Sequence, residues 1–260
     1  MRTHLSTPVS KLMVTDVATV STTDSLTEVE ALFDHRRCSS APVMDGDRVI
    51  GVISRTDLLR AGRREAAGHG GALAPLAAKR AGDIATRPAV TVGPRASVSQ
   101  VATTMLKQRI HRVFIEDDEK LAGVFSTQDL LYAISAARIA TPLSEVMSKP
   151  AFTVPLEATI AHATDRLAVA HVSGVVVIDE EGWPVGIFSQ REALLSHALS
   201  ADTSVEDAMN HALVCLHNKA PLHRAATLAS AARARRVLVI EDRRVAGVIT
   251  PLDFARALSA

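Results

Sequence analysis

Apolar and polar positions follow one order that returns four times along the chain. A short β-branched pair predicts a first strand. It is followed by helical spacing, which in the first copy places one apolar stripe along a helix, made of Leu26, Val29, Leu32 and Phe33. Two apolar runs separated by a polar turn then predict a hairpin. These runs lie at 41–44 and 49–53, 113–115 and 121–125, 175–178 and 185–188, and 237–240 and 245–249. A second helix is predicted to begin at Ser54, Ser126, Ser189 and Thr250.

The end of each copy carries a recognisable motif. It reads GVISRTDLL at 51–59, GVFSTQDLL at 123–131, GIFSQREAL at 186–194 and GVITPLDFA at 247–255. The pairs 19–20, 91–92, 153–154 and 215–216 precede the motif glycines by 31, 31, 32 and 31 positions, counted from the second residue of each pair. Four copies in this register indicate a true internal repeat.

The pattern predicts an α+β fold of four strand-helix-strand-strand-helix repeats, at 1–66, 79–138, 139–200 and 201–260. Ser25 with Glu28, and Ser97 with Gln100, have the spacing of capping boxes at helix starts. A three-stranded sheet leaves one apolar face uncovered, so we expect the repeats to pair into two modules. Residues 61–78, which contain several glycines and arginines, are predicted to be a surface loop or linker.

Composition narrows the class of protein. The chain is 47% apolar and has a formal net charge of +1, which gives no overall field to attract nucleic acid or an anionic membrane. Its 2 cysteines cannot form a disulfide framework, and no apolar stretch approaches the roughly 20 residues of a membrane span. We therefore expect a cytoplasmic protein without nucleic-acid or membrane partners.

The ordered motifs resemble the CBS-domain family, named after cystathionine β-synthase. The resemblance lies in the lead-in EVMSKP at 145–150, the Thr-Val pairs, the hairpin strands and the final motif, and it covers nearly the whole chain. It implies that two repeats form a Bateman module whose clefts often hold AMP, ADP, ATP or another adenosyl ligand. Four repeats in one chain look like the γ subunit of AMP-activated protein kinase, in which two modules form a flat disc.

The acidic residue after each motif Ser or Thr is the first candidate for ligand chemistry. A carboxylate there can accept the hydroxyls of a ribose, which suggests Asp57, Asp129 and Asp253, with Glu192 as the longer counterpart in the third repeat. The hydroxyl residues Ser54, Ser126, Ser189 and Thr250 open a helix, where a phosphate is favoured. The same spacing is also an ordinary helix cap, which alone could explain it.

Cations distinguish the even repeats. The second has His111 and Arg112 just before its middle strand, similar to the His-Arg pair that binds phosphate in the kinase γ subunit, and the fourth has Arg235 and Arg236 there. The odd repeats have Ser39-Ser40 and Ser173-Gly174, so phosphate contacts are predicted from the even repeats. The alternatives are a solvated helix end for the arginine pair and a partly buried polar residue for His111.

Few aromatic residues are available to stack on an adenine, since they make up 3% of the chain. The aliphatic or aromatic residue before each motif hydroxyl is a candidate adenine contact, with core packing as the alternative; these residues are Ile53, Phe125, Phe188 and Ile249. No phosphate-binding loop, nucleophile elbow or metalloprotease motif is found.

These observations predict a regulatory protein and not an enzyme. We expect it to sense energy or second-messenger state by binding AMP, ADP or ATP, and to act through a separate effector protein, either as a single chain or as a homodimer. The competing hypothesis is a structural or oligomerisation scaffold whose CBS clefts bind nothing. The serines of the odd repeats and Glu192 favour that alternative locally.

Overall fold

The computed structural model describes residues 5–58, 60–61, 79–196 and 199–259. Each repeat contains one three-stranded sheet whose strands keep chain order. The strands are β1 (Val20–Ser21), β2 (Ser40–Asp45), β3 (Arg48–Ser54), β4 (Thr91–Val92), β5 (Arg112–Asp117), β6 (Lys120–Ser126), β7 (Thr153–Pro155), β8 (Gly174–Ile178), β9 (Pro184–Ser189), β10 (Cys215–His217), β11 (Val237–Glu241) and β12 (Arg244–Ile249). The longer helices are α1 (Leu26–His35), α2 (helical residues 55–58 and 60–61), α3 (Val98–Gln108), α4 (Thr127–Ala136), α5 (Ile160–Val169), α6 (Gln190–Leu195), α7 (Leu222–Ala231) and α8 (Pro251–Leu258). The predicted α+β fold of four repeats is confirmed.

Every sheet has the same connectivity. Its first strand runs parallel to the second, and the second runs antiparallel to the third. In the first repeat Ala41, Val43 and Ile53 are buried and pack with Val29 and Phe33 of α1. Because side chains alternate across a strand, the residues between them face the other side of the sheet.

The helix starts follow the sequence signals. The Ser25 hydroxyl accepts from the backbone N–H of Glu28, while the Glu28 carboxylate accepts from the backbone N–H of Ser25. Ser97 and Gln100 form the same reciprocal pair at the start of α3. Both capping boxes are confirmed, and each satisfies backbone donors that a helix start leaves unpaired.

The chain divides into two compact units. The first unit comprises Pro8–Ala96 and Arg112–Ser126, and the second comprises Met1–Thr7, Ser97–His111 and Thr127–Ala260. The first unit therefore contains the sheets of repeats one and two. The second contains repeats three and four together with the helices of repeat two.

Within each unit, the segment that leads into one repeat pairs with the last strand of another. In the first unit Val14 pairs with Val124, and Val52 pairs with Thr86. In the second unit Ser148 pairs with Val248, and Ile187 pairs with Asn210. These reciprocal exchanges join repeats one and two, and repeats three and four, as the predicted pairs.

The segment that leads into one repeat crosses the last strand of another at the motif glycine, and this crossing explains why the motif begins with glycine. A Cβ at Gly51 would lie 2.9 Å from the carbonyl oxygen of Thr86, and a Cβ at Gly247 would lie 2.8 Å from that of Ser148. Both contacts are with backbone, which cannot swing aside as a side chain can. The motif glycine is therefore required by close approach of another chain segment.

Helices of the second and fourth repeats pack together in the second unit, where α4 lies on α7 and α3 on α8. Ala102 and Ala226 are fully buried, and such small side chains allow close helix contact. The Ser99 hydroxyl also donates to the Leu258 carbonyl at 2.9 Å. Among the described residues, no helix is long and apolar enough to cross a membrane.

The predicted linker at 61–78 needs one correction. Ala61 is the last described residue of α2, is 5% exposed and packs in the core of the first repeat. It is helical, and its methyl group packs with the buried apolar residues of that repeat. Residues 62–78 of the predicted linker lie outside the described residues.

Candidate functional site

Ser54 and Asp57 meet at the junction of β3 and α2. The Ser54 hydroxyl donates to Asp57 Oδ2 at 2.6 Å, and the Ser54 backbone N–H donates to the same oxygen at 2.9 Å. The Ser54 hydroxyl in turn accepts from the Asp57 N–H at 3.3 Å. This is a helix cap, as the alternative interpretation predicts. The cap uses only one carboxylate oxygen: within the described part of the chain, no hydrogen bond reaches Oδ1 of this half-buried residue.

Arg112 of the second repeat reaches across to the first. Its guanidinium donates to the Ser40 carbonyl at 3.4 Å and to the Ser39 hydroxyl at 3.3 Å. Ser39 and Ser40 occupy the same places in the first repeat that His111 and Arg112 occupy in the second. The arginine therefore sits where equivalent ends of the two middle strands meet.

The same crossing brings Arg112 toward the Ser54–Asp57 pair. Ser40 is the strand partner of Ser54, so their side chains lie on one face of the sheet. The Ser40 hydroxyl is buried and has no hydrogen-bond partner among the described residues. We call Ser39, Ser40, Ser54, Asp57 and Arg112 the first-repeat site; it combines a carboxylate, three hydroxyls and a guanidinium.

An equivalent set lies in the second unit. Arg236 donates to the Ser173 hydroxyl at 2.7 Å, and a Cβ at Gly174 would lie 2.4 Å from the Arg236 Cζ. Gly174 is the strand partner of Ser189, whose hydroxyl donates to the buried Glu192 carboxylate. We call Ser173, Gly174, Ser189, Glu192 and Arg236 the third-repeat site.

The Arg236 guanidinium in the third-repeat site has a different electrostatic environment from that of an exposed arginine. Burial lowers the pKa of the Arg236 guanidinium, and the nearby Glu192 carboxylate partly offsets that effect. Glu192 also accepts from Arg191 at 3.3 Å, so its charge is shared between two arginines. The lone direct hydrogen bond of Arg236 is to a neutral hydroxyl, within the described residues. An anionic ligand would stabilise the positive charge of a guanidinium held in this way.

Asp253 of the fourth repeat is completely buried. Its Oδ2 accepts from the Thr250 backbone N–H at 2.8 Å and from the Thr250 hydroxyl at 2.7 Å. Its Oδ1 accepts from the Ser148 hydroxyl at 2.7 Å and from Arg256 at 2.9 Å. We call Ser148, Thr250, Asp253 and Arg256 the fourth-repeat site. Both oxygens of its predicted ribose-binding carboxylate already have partners from the chain.

The remaining predicted polar residues are more dispersed. His111 is exposed, and its carbonyl accepts from the backbone N–H of Thr127 at 3.0 Å. Arg235 is also exposed, whereas its neighbour Arg236 is turned onto Ser173. Ser126 and Asp129 are half-buried, and Asp129 lies in the first turn of α4. In each predicted basic pair, the second residue, Arg112 or Arg236, contacts an odd repeat, whereas the first residue, His111 or Arg235, is exposed to solvent.

The predicted adenine contacts lie where core packing, the alternative interpretation, would place them. The four residues are 0% exposed and lie in the cores of their repeats; they are Ile53, Phe125, Phe188 and Ile249. Alternation along the strand explains this burial, because the residue before the motif hydroxyl faces the opposite side of the sheet from that hydroxyl. Val52 shares the face of Ser54 and is half-buried, so the residue two positions before the hydroxyl is the better aliphatic candidate.

Two open grooves lie elsewhere, at the hairpin ends. One of about 710 Å³ in the first unit is lined by residues that include Thr19, Gly46 and Lys120. One of about 320 Å³ in the second unit is lined by Thr153, Gly182 and Arg244 among others. Neither contains a predicted ligand residue. In the described ranges, no cluster of three or more His, Cys, Asp or Glu side chains could hold a metal ion.

Five contributing side chains have no ligand role predicted from the sequence: Ser39, Ser40, Ser173, Ser148 and Arg256. Ser39 and Ser173 are noted there only as lacking charge, yet they are the hydroxyls onto which Arg112 and Arg236 fold. Their equivalence in register to the cationic positions is the signal that could have identified them. Ser148 lies 105 residues from Asp253, and no local pattern connects the two.

The CBS domain family model matches residues 9–64, 81–136, 143–196 and 205–260. The chain therefore belongs to the CBS-domain family, and the predicted four CBS repeats are confirmed.

Curated relatives are similar over parts of their length. An uncharacterised 33.4 kDa protein in a ribosomal RNA operon of Thermofilum pendens is 26% identical over 190 residues, which is 67% of this chain and 59% of the relative. An inosine-5′-monophosphate dehydrogenase of Korarchaeum cryptofilum is 26% identical over 121 residues, 46% of this chain and 23% of the relative. The chain thus spans about three fifths and about a quarter of these two proteins.

Solved structures share the fold over nearly the whole chain. The protein MJ1225 of Methanocaldococcus jannaschii, a proposed archaeal homologue of the γ subunit of AMP-activated protein kinase, aligns with a TM-score of 0.80 at 14% identity, covering 97% of this chain and 100% of the other. An uncharacterised conserved protein of Pyrococcus horikoshii aligns with a TM-score of 0.71 at 16% identity, again covering 97% and 100%. At these identities the likeness concerns the fold.

Proposed function

We propose that the chain is a regulatory protein that binds an adenine nucleotide, such as AMP, ADP or ATP, and passes the signal to a separate effector protein without catalysing a reaction. The observation that carries the proposal is the first-repeat site. There Arg112 of one repeat folds onto Ser39 and Ser40 of another, beside the Ser54–Asp57 pair. Arg112, the proposed phosphate ligand, thus contacts Ser40, the strand partner of the serine that holds Asp57, the proposed ribose ligand.

Each group suits one part of a nucleotide. The Asp57 oxygen outside the helix cap can accept ribose hydroxyls as charge-assisted hydrogen bonds. The planar Arg112 guanidinium and the buried Ser40 hydroxyl can both donate to a phosphate. Val52, on the same face of the sheet as Ser54, offers an aliphatic surface to the base. Membership of the CBS-domain family supports an adenosine-containing ligand.

Ligand binding must favour one conformation to transmit a signal. Arg112 bridges two repeats, so its withdrawal toward a phosphate would break the contacts with Ser39 and Ser40. That change would alter how repeats one and two meet. A separate effector protein would then read the altered surface.

Thermal melting tests the proposal. AMP, ADP, ATP, cyclic dinucleotides and S-adenosylmethionine are each added to the whole chain at millimolar concentration. A ligand that binds only the native state at about 100 times its Kd stabilises it by about 2.7 kcal/mol and raises the melting temperature. We expect at least one adenine nucleotide to do so, and the absence of any shift would contradict the proposal.

A scaffold without ligand-binding sites is the second candidate, and the fourth-repeat site favours it. Asp253 is completely buried and both of its oxygens accept hydrogen bonds from the chain. A scaffold would be expected to show such closed sites in every repeat. Sedimentation of the chain with and without nucleotide distinguishes a constitutive homodimer from a ligand-dependent change.

A further inference from the structure

In the fourth-repeat site, residues of the chain itself donate the hydrogen bonds that the hydroxyls of a bound sugar would otherwise donate. The Ser148 hydroxyl donates to Asp253 Oδ1 at 2.7 Å, in the same way that a ribose hydroxyl would. Arg256 donates to that oxygen at 2.9 Å. The other oxygen is used by Thr250 in the helix cap. A ligand would therefore have to displace one of these internal donors before Asp253 could accept from it.

The equivalent position in the first repeat lacks this arrangement. Thr86 pairs with Val52 as Ser148 pairs with Val248, so the two lead-in residues correspond. Thr86 is exposed, and in the described part of the chain its hydroxyl makes no hydrogen bond with Asp57. Asp57 is half-buried, whereas Asp253 has no exposed surface.

We propose that Ser148 is the residue that closes the fourth-repeat site. Its hydroxyl occupies the place of a ribose hydroxyl, and with Asp253 and Arg256 it clamps the lead-in of the third repeat to the last helix. Asp253 is then a structural residue, and nucleotide sensing is left to other repeats, including the first. The part of this inference that concerns ligands rests on the function proposed above.

Energetics favour the closed arrangement. Asp253 is removed from water, and its charge is compensated by four donors from within the chain. A buried carboxylate keeps its charge only when it is paired and hydrogen-bonded. A sugar hydroxyl in place of the Ser148 hydroxyl would exchange one neutral donor for another, so little free energy would be gained. The bound sugar would also have to displace the groups that bury Asp253.

The test compares Ser148→Ala with Thr86→Ala, a matched control that removes the hydroxyl at the corresponding lead-in position. Ser148→Ala leaves a buried acceptor with one donor fewer, so we expect its melting temperature to fall by about 2–4 °C. Thr86→Ala removes an exposed hydroxyl and should shift the melting temperature by about 1 °C or less. Equal melting temperatures for Ser148→Ala and the wild type would overturn the clamp.

Equilibrium dialysis with adenosine provides the second measurement. Ser148→Ala should bind as many equivalents as the wild type, or one more if the site opens, whereas Asp57→Asn should bind one fewer. Loss of an equivalent in Ser148→Ala would overturn the inference, because it would show that Ser148 belongs to a working site. If the wild type binds neither adenosine nor AMP, the proposed function fails, while the melting difference between Ser148→Ala and Thr86→Ala still decides whether the site is clamped.

Discussion

The first and fourth repeats carry the same motif and use its acid differently. In the first, Asp57 caps a helix through one oxygen and remains half-buried. In the fourth, Asp253 forms the same cap but is also held by Ser148 and Arg256 and is fully buried. The motif therefore encodes a helix start in both places. Residues supplied by another repeat or by the following helical turn decide whether the second oxygen of the acid also accepts hydrogen bonds from the chain.

The third repeat lies between these two cases. Its Glu192 is buried and paired with Ser189 and Arg191, as Asp253 is paired in the fourth. Its incoming arginine, Arg236, nevertheless has only one direct hydrogen bond within the described residues, to a neutral hydroxyl. The repeats share one sequence pattern, but they differ in the contacts that their motif acids and arginines make with the other repeat of the same pair.

The largest expected effect is on stability and comes from Asp253→Asn. The amide removes the buried charge opposite Arg256 and leaves one acceptor oxygen for four donors, so we expect the free energy of unfolding to fall by about 3 kcal/mol. Asp57→Asn keeps an acceptor for its cap and should lose about 1 kcal/mol or less. Urea unfolding measures both, and equal losses would contradict the difference between the two repeats.

Gly174→Ala tests the crowding around Arg236 in the third-repeat site. The added Cβ would lie 2.4 Å from the Arg236 Cζ, so the guanidinium must move. Because the guanidinium is the far end of a flexible side chain, the cost is mainly the lost hydrogen bond to Ser173, and we expect a loss of about 1 kcal/mol in the free energy of unfolding. Gly93→Ala is the control, because a Cβ there would have no atom within 4 Å. A loss shared by both variants would point to a backbone effect and count against the contact.

Ser40→Ala should separate stability from binding in the first-repeat site. The Ser40 hydroxyl is buried without a partner among the described residues, so its removal should leave the free energy of unfolding unchanged or raise it by about 1 kcal/mol. AMP should bind about 3- to 10-fold more weakly because a phosphate donor is lost. Denaturant unfolding and AMP titration measure the two effects. A less stable variant with unchanged AMP affinity would show that Ser40 is purely structural.

The smallest effect concerns a capping pair for which no ligand is proposed, Ser25–Glu28. The Ser25 backbone N–H, and then its hydroxyl, lower the pKa of the exposed Glu28 carboxyl. A lowered folded pKa gives stability that is present above the unfolded pKa and is lost as the pH falls through the folded value. From about pH 5 downward the melting temperature of the wild type should therefore fall more than that of Glu28→Gln. Parallel curves would contradict this.

Most of the fold could be predicted from the sequence because its signals are local and repeated. Strand and helix order, the Ser25 cap and the Ser97 cap each depend on residues a few positions apart. The burial of the predicted adenine contacts, such as Ile53, follows from strand alternation, because the residue next to Ser54 faces the core.

The cross-repeat contacts could not be predicted because they join distant parts of the chain. Arg112 meets Ser39 over a separation of 73 residues, and Ser148 meets Asp253 over 105. Charge alone suggested that phosphate chemistry belongs to the even repeats. The structure places the even-repeat arginine against an odd-repeat hydroxyl, and that arrangement depends on how the two repeats pair.

Calorimetric titration of AMP and of adenosine into the wild type and Arg112→Ala tests the central claim most directly. If Arg112 holds the phosphate while Asp57 holds the sugar, Arg112→Ala should weaken AMP by about 10- to 100-fold and change adenosine by less than about 3-fold. An equal loss for both ligands, or a wild type that binds AMP no more tightly than adenosine, would contradict the account.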